Sequence, residues 1–257
     1  VAFRRRTTQR GSSVATVRSL VDIFAERKQI CAECDSTFTG PGFQKLCSAC
    51  GEKASERARV EAERLEAERI KYEQDLRAQA WLKLCPPLYR ESDRARLPQP
   101  ELERILSWQY GPKGLLVLGP TMTGKSRMLW LLLKRLHDEG REIVAYGAGG
   151  FGRACIRAWA KGGGPDWADR VESVPILFLD DLGVTPMTPR VQAELFAVFE
   201  NRIAHLKPIL ATTNCGGDAI AAKLDADRGE PLVRRLREFC EIVTLQAPPL
   251  AQEGGTR

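Results

Sequence analysis

The sequence predicts an α/β fold: a mostly parallel, doubly wound sheet of five strands, preceded by a small four-cysteine module and a charged helix. Three observations carry that prediction. Gly119-Pro120-Thr121-Met122-Thr123-Gly124-Lys125-Ser126 fits G-x-x-x-x-G-K-[ST] between a strand-like run and a helical run. About sixty residues further on, Ile176-Leu177-Phe178-Leu179 ends in Asp180-Asp181. Around both, five short apolar runs alternate with helical patterns, as strands joined by crossover helices do.

Residues 1–28 start basic and Ser/Thr-rich and predict a disordered arm. Residues 1–30 hold seven Lys/Arg against two Asp/Glu, which suits either nucleic-acid contact or ordinary solubility charge. Residues 29–52 carry Cys31-Ala32-Glu33-Cys34 and, twelve residues on, Cys47-Ser48-Ala49-Cys50. Two C-x-x-C pairs offer four thiolates for tetrahedral Zn²⁺, with a short hairpin or turn expected between them at Phe38–Phe43. A segment this small would take its folding energy from the metal. Because all four positions are Cys, none stays open for chemistry and the zinc is read as structural. A redox role is the competing reading, and no thioredoxin-like βαβ pattern accompanies the pairs. Whether the module grips DNA or protein stays open.

Residues 53–84 are dense in Glu, Arg and Ala. Glu61/Arg64 and Glu66/Arg69 at i, i+3, with Glu73/Arg77 at i, i+4, predict one solvated helix. Val60, Leu65, Ile70 and Leu76 give it a thin apolar stripe, so it is either a spacer or a docking helix. Pro86-Pro87 stops it and opens a second domain over 85–246. Residues 247–257 read as a loose tail.

Within that domain, Glu101–Tyr110 reads as a helix and Gly114–Leu118 as a buried strand. Gly119 and Gly124 permit a turn whose N–H groups converge on a polyanion. Lys125 then reaches the β- and γ-phosphates, and Ser126 Oγ ligates Mg²⁺. Arg127 opens a helix to Leu136 whose N-terminus faces the phosphates. A chance glycine turn would lack the strand before and the helix after. Glu142–Tyr146 is a second strand. Gly147–Gly152 is glycine-rich but lacks Lys-[Ser/Thr], so it reads as a strand-to-helix turn. Helix continues from Ala154 to Lys161, and Gly162-Gly163-Gly164-Pro165 breaks it.

The run from Ile176 delivers two acids to the carboxyl edge of the sheet, beside the phosphate loop. Asp180 would hold Mg²⁺ through Ser126 or water, and Asp181 would orient and polarise the attacking water. Thr188-Pro189 begins a helix with Val191, Leu195, Val198 and Phe199 on one face. Lys207–Asn214 is a fourth strand whose tip, Asn214, suits a hydrogen bond to the γ-phosphate or its water, with a plain turn cap as the alternative. Arg228–Arg237 is a cationic helix, either a solvated face or the source of an arginine for a neighbour's phosphoryl group. Cys240–Leu245 is the last strand.

The chain of 257 residues is 43% hydrophobic and carries a net charge of +6, enough to bury a core. No apolar run approaches the roughly 20 residues of a membrane span. No export signal is visible at a start that is Val1 rather than Met. Together with the paired cysteines, this predicts a cytoplasmic location and no disulfide framework.

The series G-P-T-M-T-G-K-S, I-L-F-L-D-D-L-G, A-T-T-N and G-E-P-L-V-R-R-L resembles the AAA+ ATPases of the DnaC/IstB group over roughly residues 85–246. These are bacterial and phage helicase loaders and transposition helper ATPases. The resemblance implies a P-loop ATPase using ATP and Mg²⁺, with Walker A at Gly119–Ser126, Walker B at Asp180 and Asp181, and sensor 1 at Asn214. It also implies an arginine finger at Arg235, with Arg234 the alternative, and a second intersubunit arginine at Arg202. Many AAA+ hydrolases have Glu where this chain has Asp181, though Asp-Asp is common in the group. The resemblance implies a homo-oligomer bound to DNA, single-stranded by preference, and to a replicative helicase. The alternatives are a transposition helper binding duplex DNA and a transposase, and a non-hydrolysing zinc- and ATP-containing DNA-binding adaptor.

Overall fold

The structure, a computed structural model, describes residues 24–246. The disordered arm expected at the start falls largely outside them, and the tail expected after residue 246 falls wholly outside. The chain divides into two compact units, Val1–Glu73 and Gln74–Arg257.

In the first unit, β1 (Glu26–Ile30) and β2 (Thr37–Pro41) pair antiparallel, Ile30 opposite Thr37. Between the two cysteine pairs the expected turn is present, Gln44 N–H bonding the Pro41 carbonyl at 2.9 Å, while the hairpin itself closes around the first pair. The first pair sits in its turn, where Cys31 N–H bonds the Ser36 carbonyl at 2.9 Å and Asp35 takes a positive φ of 55°. The second pair starts α1 (Ser48–Leu84). Arg64–Glu61, Arg69–Glu66 and Arg59–Glu56 ion pairs line that helix. Its Val60, Leu65 and Ile70 are exposed, as a helix of such low apolar content requires. The expected Glu73–Arg77 pair does not form, because Glu73 accepts from Arg69 instead.

In the second unit, Arg77 reaches the Asp138 carbonyl at 2.9 Å. Burial starts at Trp81, before the prolines: its ring meets Trp130 edge-on at 5.8 Å. After a single turn, α2 (Pro87–Arg90), and α3 (Gln99–Leu106), five strands form one parallel sheet. They are β3 (Gly114–Leu118), β4 (Ile143–Tyr146), β5 (Ile176–Leu179), β6 (Ile209–Thr213) and β7 (Cys240–Thr244), in the order β4-β5-β6-β3-β7. The runs are apolar throughout because both faces are covered. Leu115, Val117, Ile176, Phe178 and Leu210 point to one core with Met128, Leu132 and Leu133 of α4 (Lys125–Asp138). Leu116, Leu177, Leu179, Ile209 and Ala211 point to the other, with Phe151 and Cys155 of α5 (Gly150–Ala160) and Val171 of α6 (Gly164–Ser173). Val191, Leu195, Val198 and Phe199 of α7 (Pro189–Ala204) and Leu236 complete that second core.

Helix α6 was not expected. Gly162-Gly163-Gly164-Pro165 ends one helix but also starts another, with Pro165 in the first turn where its missing N–H costs nothing. The last two helices are α8 (Gly217–Ala221) and α9 (Ala226–Phe239). No helix among the described residues is long and apolar enough to cross a membrane.

Candidate nucleotide and metal sites

The topology gathers the candidate residues at the carboxyl ends of three adjacent strands. β6 lies between β3 and β5, so the phosphate loop, Asn214 and the two acids follow neighbouring strands. The loop needs its glycines. Gly119 has φ 154°, and a Cβ there would stand 2.7 Å from the Leu245 carbonyl oxygen. Gly124 has φ 91° and packs against Leu97, 2.7 Å from where a Cβ would be. Met122, also at positive φ, projects fully into solvent.

Lys125 is buried, and its ammonium donates to the Gly119 and Pro120 carbonyls at 2.9 and 2.6 Å. Burial pulls its pKa below the usual lysine value, and the charges of Asp181 and Asp180 oppose that shift. Ser126 Oγ donates to Asp180 Oδ1 at 2.7 Å. Asp181 takes a left-handed backbone, φ 56°. Burial raises its pKa, Asp180 raises it further, and Lys125 opposes.

Asn214 lines the same cleft as Lys125, Ser126 and Asp181, a cavity of about 790 Å³. Its Oδ1 is buried with no hydrogen-bond partner among the described residues. Arg127 opens onto the cleft and donates to the Leu88 carbonyl at 3.1 Å.

Sequence reasoning missed part of the wall. Leu88, Tyr89, Arg96 and Leu97 line the cleft from the segment ahead of β3, and Tyr89 stacks on Trp130 at 5.9 Å. No spacing signal links them to the loop, because packing alone brings them there. It also gave no role to Thr212. That hydroxyl donates to Asp180 Oδ1 at 2.5 Å and accepts the Asp181 N–H at 2.8 Å.

Two arginines lie elsewhere. Arg235 forms a bidentate pair with Glu200, at 2.5 and 2.7 Å, and this hydrogen bonding holds the Glu200 carboxyl below its usual range. It lies beside Gly114, Ile209 and Cys240, the starts of β3, β6 and β7, at the opposite edge of the sheet from its own phosphate loop. Arg202, expected between subunits, is instead buried in the core. Its guanidinium donates to the carbonyls of Val171, Glu172, Val174, Pro175 and Pro208. Burial lowers its pKa to about 10, with Tyr110 opposing. A guanidinium so enclosed has no route to a neighbour.

In the first unit, the sulfur atoms of Cys31, Cys34, Cys47 and Cys50 all lie within 4.8 Å of one another, Cys34 and Cys47 at 3.7 Å. A zinc tetrahedron with bonds of about 2.3 Å has edges of about 3.8 Å, so the residues fit that ion. The Cys47 N–H donates to Cys31 Sγ at 3.3 Å and is the main cause of a Cys31 pKa lowered to about 6. That favours a thiolate at Cys31, while hydrogen bonding to Cys34 and Cys47 pushes the Cys50 thiol up.

A parallel sheet whose phosphate-loop strand is one in from the edge, a glycine-framed loop and paired acids on the second strand over make an α/β fold similar to that of the DnaC structure. No family model matches the chain, and no curated protein matches it. Among solved structures, it is similar to the DnaC helicase loader at 20% identity, over 65% of this chain and 98% of that one, with a TM-score of 0.50. It is similar to DnaI at 18% identity, over 65% and 93%, with the same score. It is also similar to the replication initiator DnaA bound to AMPPCP and single-stranded DNA, at 21% identity, over 63% and 51%, again at 0.50. The chain spans about half the length of the DnaA structures it matches.

Proposed function

We propose that this protein is an ATP-hydrolysing helicase loader that binds single-stranded DNA and a replicative helicase. The observation that carries the reading is the convergence of Lys125, Ser126, Asp181 and Asn214 on one cleft, in a fold similar to those of DnaC and DnaI. The loop amides and Lys125 hold the β- and γ-phosphates, and burial, by stripping water from the ammonium, strengthens that attraction. Ser126 and Asp180 hold Mg²⁺: the serine proton points to Asp180, which leaves the Oγ lone pairs for the ion. When bound, the ion neutralises charge on the phosphates. Asp181 orients the attacking water and accepts its proton, and Asn214 Oδ1 takes a hydrogen bond from that water. Water adds to the γ-phosphorus, and ADP leaves with the electron pair of the broken P–O bond.

Arg235 acts on a neighbour's nucleotide. Its place at the far edge of the sheet supports that reading, since it cannot serve its own cleft. Zn²⁺ held by the four cysteines closes the small module, which contacts the helicase.

The test is capture of partners by the Asp181→Asn protein held in ATP. Recovery of a hexameric helicase, lost when Cys31 and Cys34 are replaced, is expected. Recovery of a transposase instead would move the assignment to a transposition helper. Recovery of nucleic acid alone, with no ATP turnover by the unaltered protein, would move it to a DNA-binding adaptor.

A further inference from the structure

The two acids of the cleft are joined through one residue of the neighbouring strand. We infer that Thr212 is a positioning residue: its buried hydroxyl fixes the carboxylate of Asp180 and the backbone of Asp181 together, so that both acids present one geometry to the cleft. Its consequence for turnover rests on the ATPase reading above.

Strand register creates the juxtaposition. Leu179 pairs with Ala211 across β5 and β6, so the next residues, Asp180 and Thr212, emerge side by side at the sheet's edge. Thr212 is 0% exposed, so water cannot substitute for its contacts. A hydroxyl has one proton and two lone pairs. The proton goes to Asp180 Oδ1 at 2.5 Å, the short range of a hydroxyl facing a carboxylate. A lone pair takes the Asp181 N–H at 2.8 Å. The Thr212 carbonyl then takes the Leu182 N–H, also at 2.8 Å. Three consecutive residues thus hang on one.

Asp181 needs such a hold. At φ 56° it sits where side chains other than glycine are strained, and its amide is held by this hydroxyl. Asp180 Oδ1 accepts from both Ser126 and Thr212. Two donors, one from helix α4 and one from strand β6, stop the carboxylate from turning. Thr213, the next residue, does something else. Its hydroxyl donates to the Leu182 carbonyl and accepts the Cys215 N–H, fastening the loop behind the acids rather than the acids themselves.

The experiment compares Thr212→Val, which keeps shape and loses both hydroxyl bonds, with Thr212→Ser, which keeps both. With folding checked by thermal melting, T212V should lose roughly ten- to a hundredfold in kcat. Its KM and its Kd for ATP should stay within about twofold, because the groups that bind phosphate are untouched. T212S should keep kcat. Hydrogen exchange gives a second readout that needs no nucleotide: the Asp181 amide should lose protection in T212V and keep it in T212S. Unchanged kcat, or an Asp181 amide as protected in T212V as in the unaltered protein, would overturn the inference. Should T212V fail to fold, T212C keeps the volume with a weak S–H donor and is read in the same way. An unaltered protein that turns over no ATP would remove the ATPase reading, and the exchange comparison would still decide Thr212.

Discussion

Asp181 and Arg202 show how burial turns the same electrostatics to different ends. Asp181 sits beside a second acid with partial access to water, and its pKa is raised. As a proton acceptor it must be ionised, so turnover is lost as pH falls through that raised value. The acid limb of a kcat/KM profile is therefore expected above the ordinary Asp value of about 3.9. Asp181→Asn should lower kcat by about a hundredfold or more while ATP binding persists. A D181N protein as fast as the original, measured by phosphate release, would remove the role. Among the described residues Arg202 has five carbonyl acceptors and no ion-pair partner. Replacing it with Met leaves those carbonyls unpaired in the core. Arg202→Met is expected to destabilise the fold by about 3–5 kcal/mol, read as a shift in urea midpoint, and not to act through subunit exchange.

At the scale of elements, the cysteine hairpin and the phosphate-loop unit differ in what holds them. β1 and β2 are five residues each, and a two-stranded hairpin alone is marginal in water. Its four sulfur atoms close it further, beside an edge-on Phe24–Phe43 contact. Chelation, or Cys47→Ser, should release one zinc per chain and expose the hairpin amides to exchange. The second unit, with its own two-sided core, should melt as before. A hairpin that keeps its protection without metal would remove zinc from its folding. The helix that follows was legible from its charges. The hairpin's position was not, because the pairing of Glu26 with Pro41 spans both sides of the first cysteine pair.

At the scale of the whole molecule, Arg235 and the phosphate loop mark opposite edges of one sheet. On the proposed reading a second copy would complete the nucleotide site, and mixing tests that. Lys125→Ala and Arg235→Ala proteins should each be inactive in turnover, with R235A still binding ATP. A one-to-one mixture should regain roughly a quarter of the activity, since one site in four joins an intact loop to an intact arginine. No recovery on mixing, or an R235A protein that turns over alone, would return Arg235 to a purely structural pairing with Glu200.

The sequence by itself determined the fold class and the local patterns that the fold gathers: the glycine loop, the acid pair, Asn214 at a strand tip and the four paired cysteines. Each is a local pattern: a glycine turn between strand and helix, a strand ending in acids, two thiol pairs at fixed spacing. The tertiary structure alone decided the rest. Arg202 reads as surface charge until the core closes over it. Leu88, Tyr89 and Leu97 are ordinary residues until packing sets them against the loop. Thr212 is one threonine among several until parallel register lays it beside Asp180, 32 residues away along the chain. What a side chain does there depends on the partner across the sheet, and one-dimensional spacing carries no record of that partner.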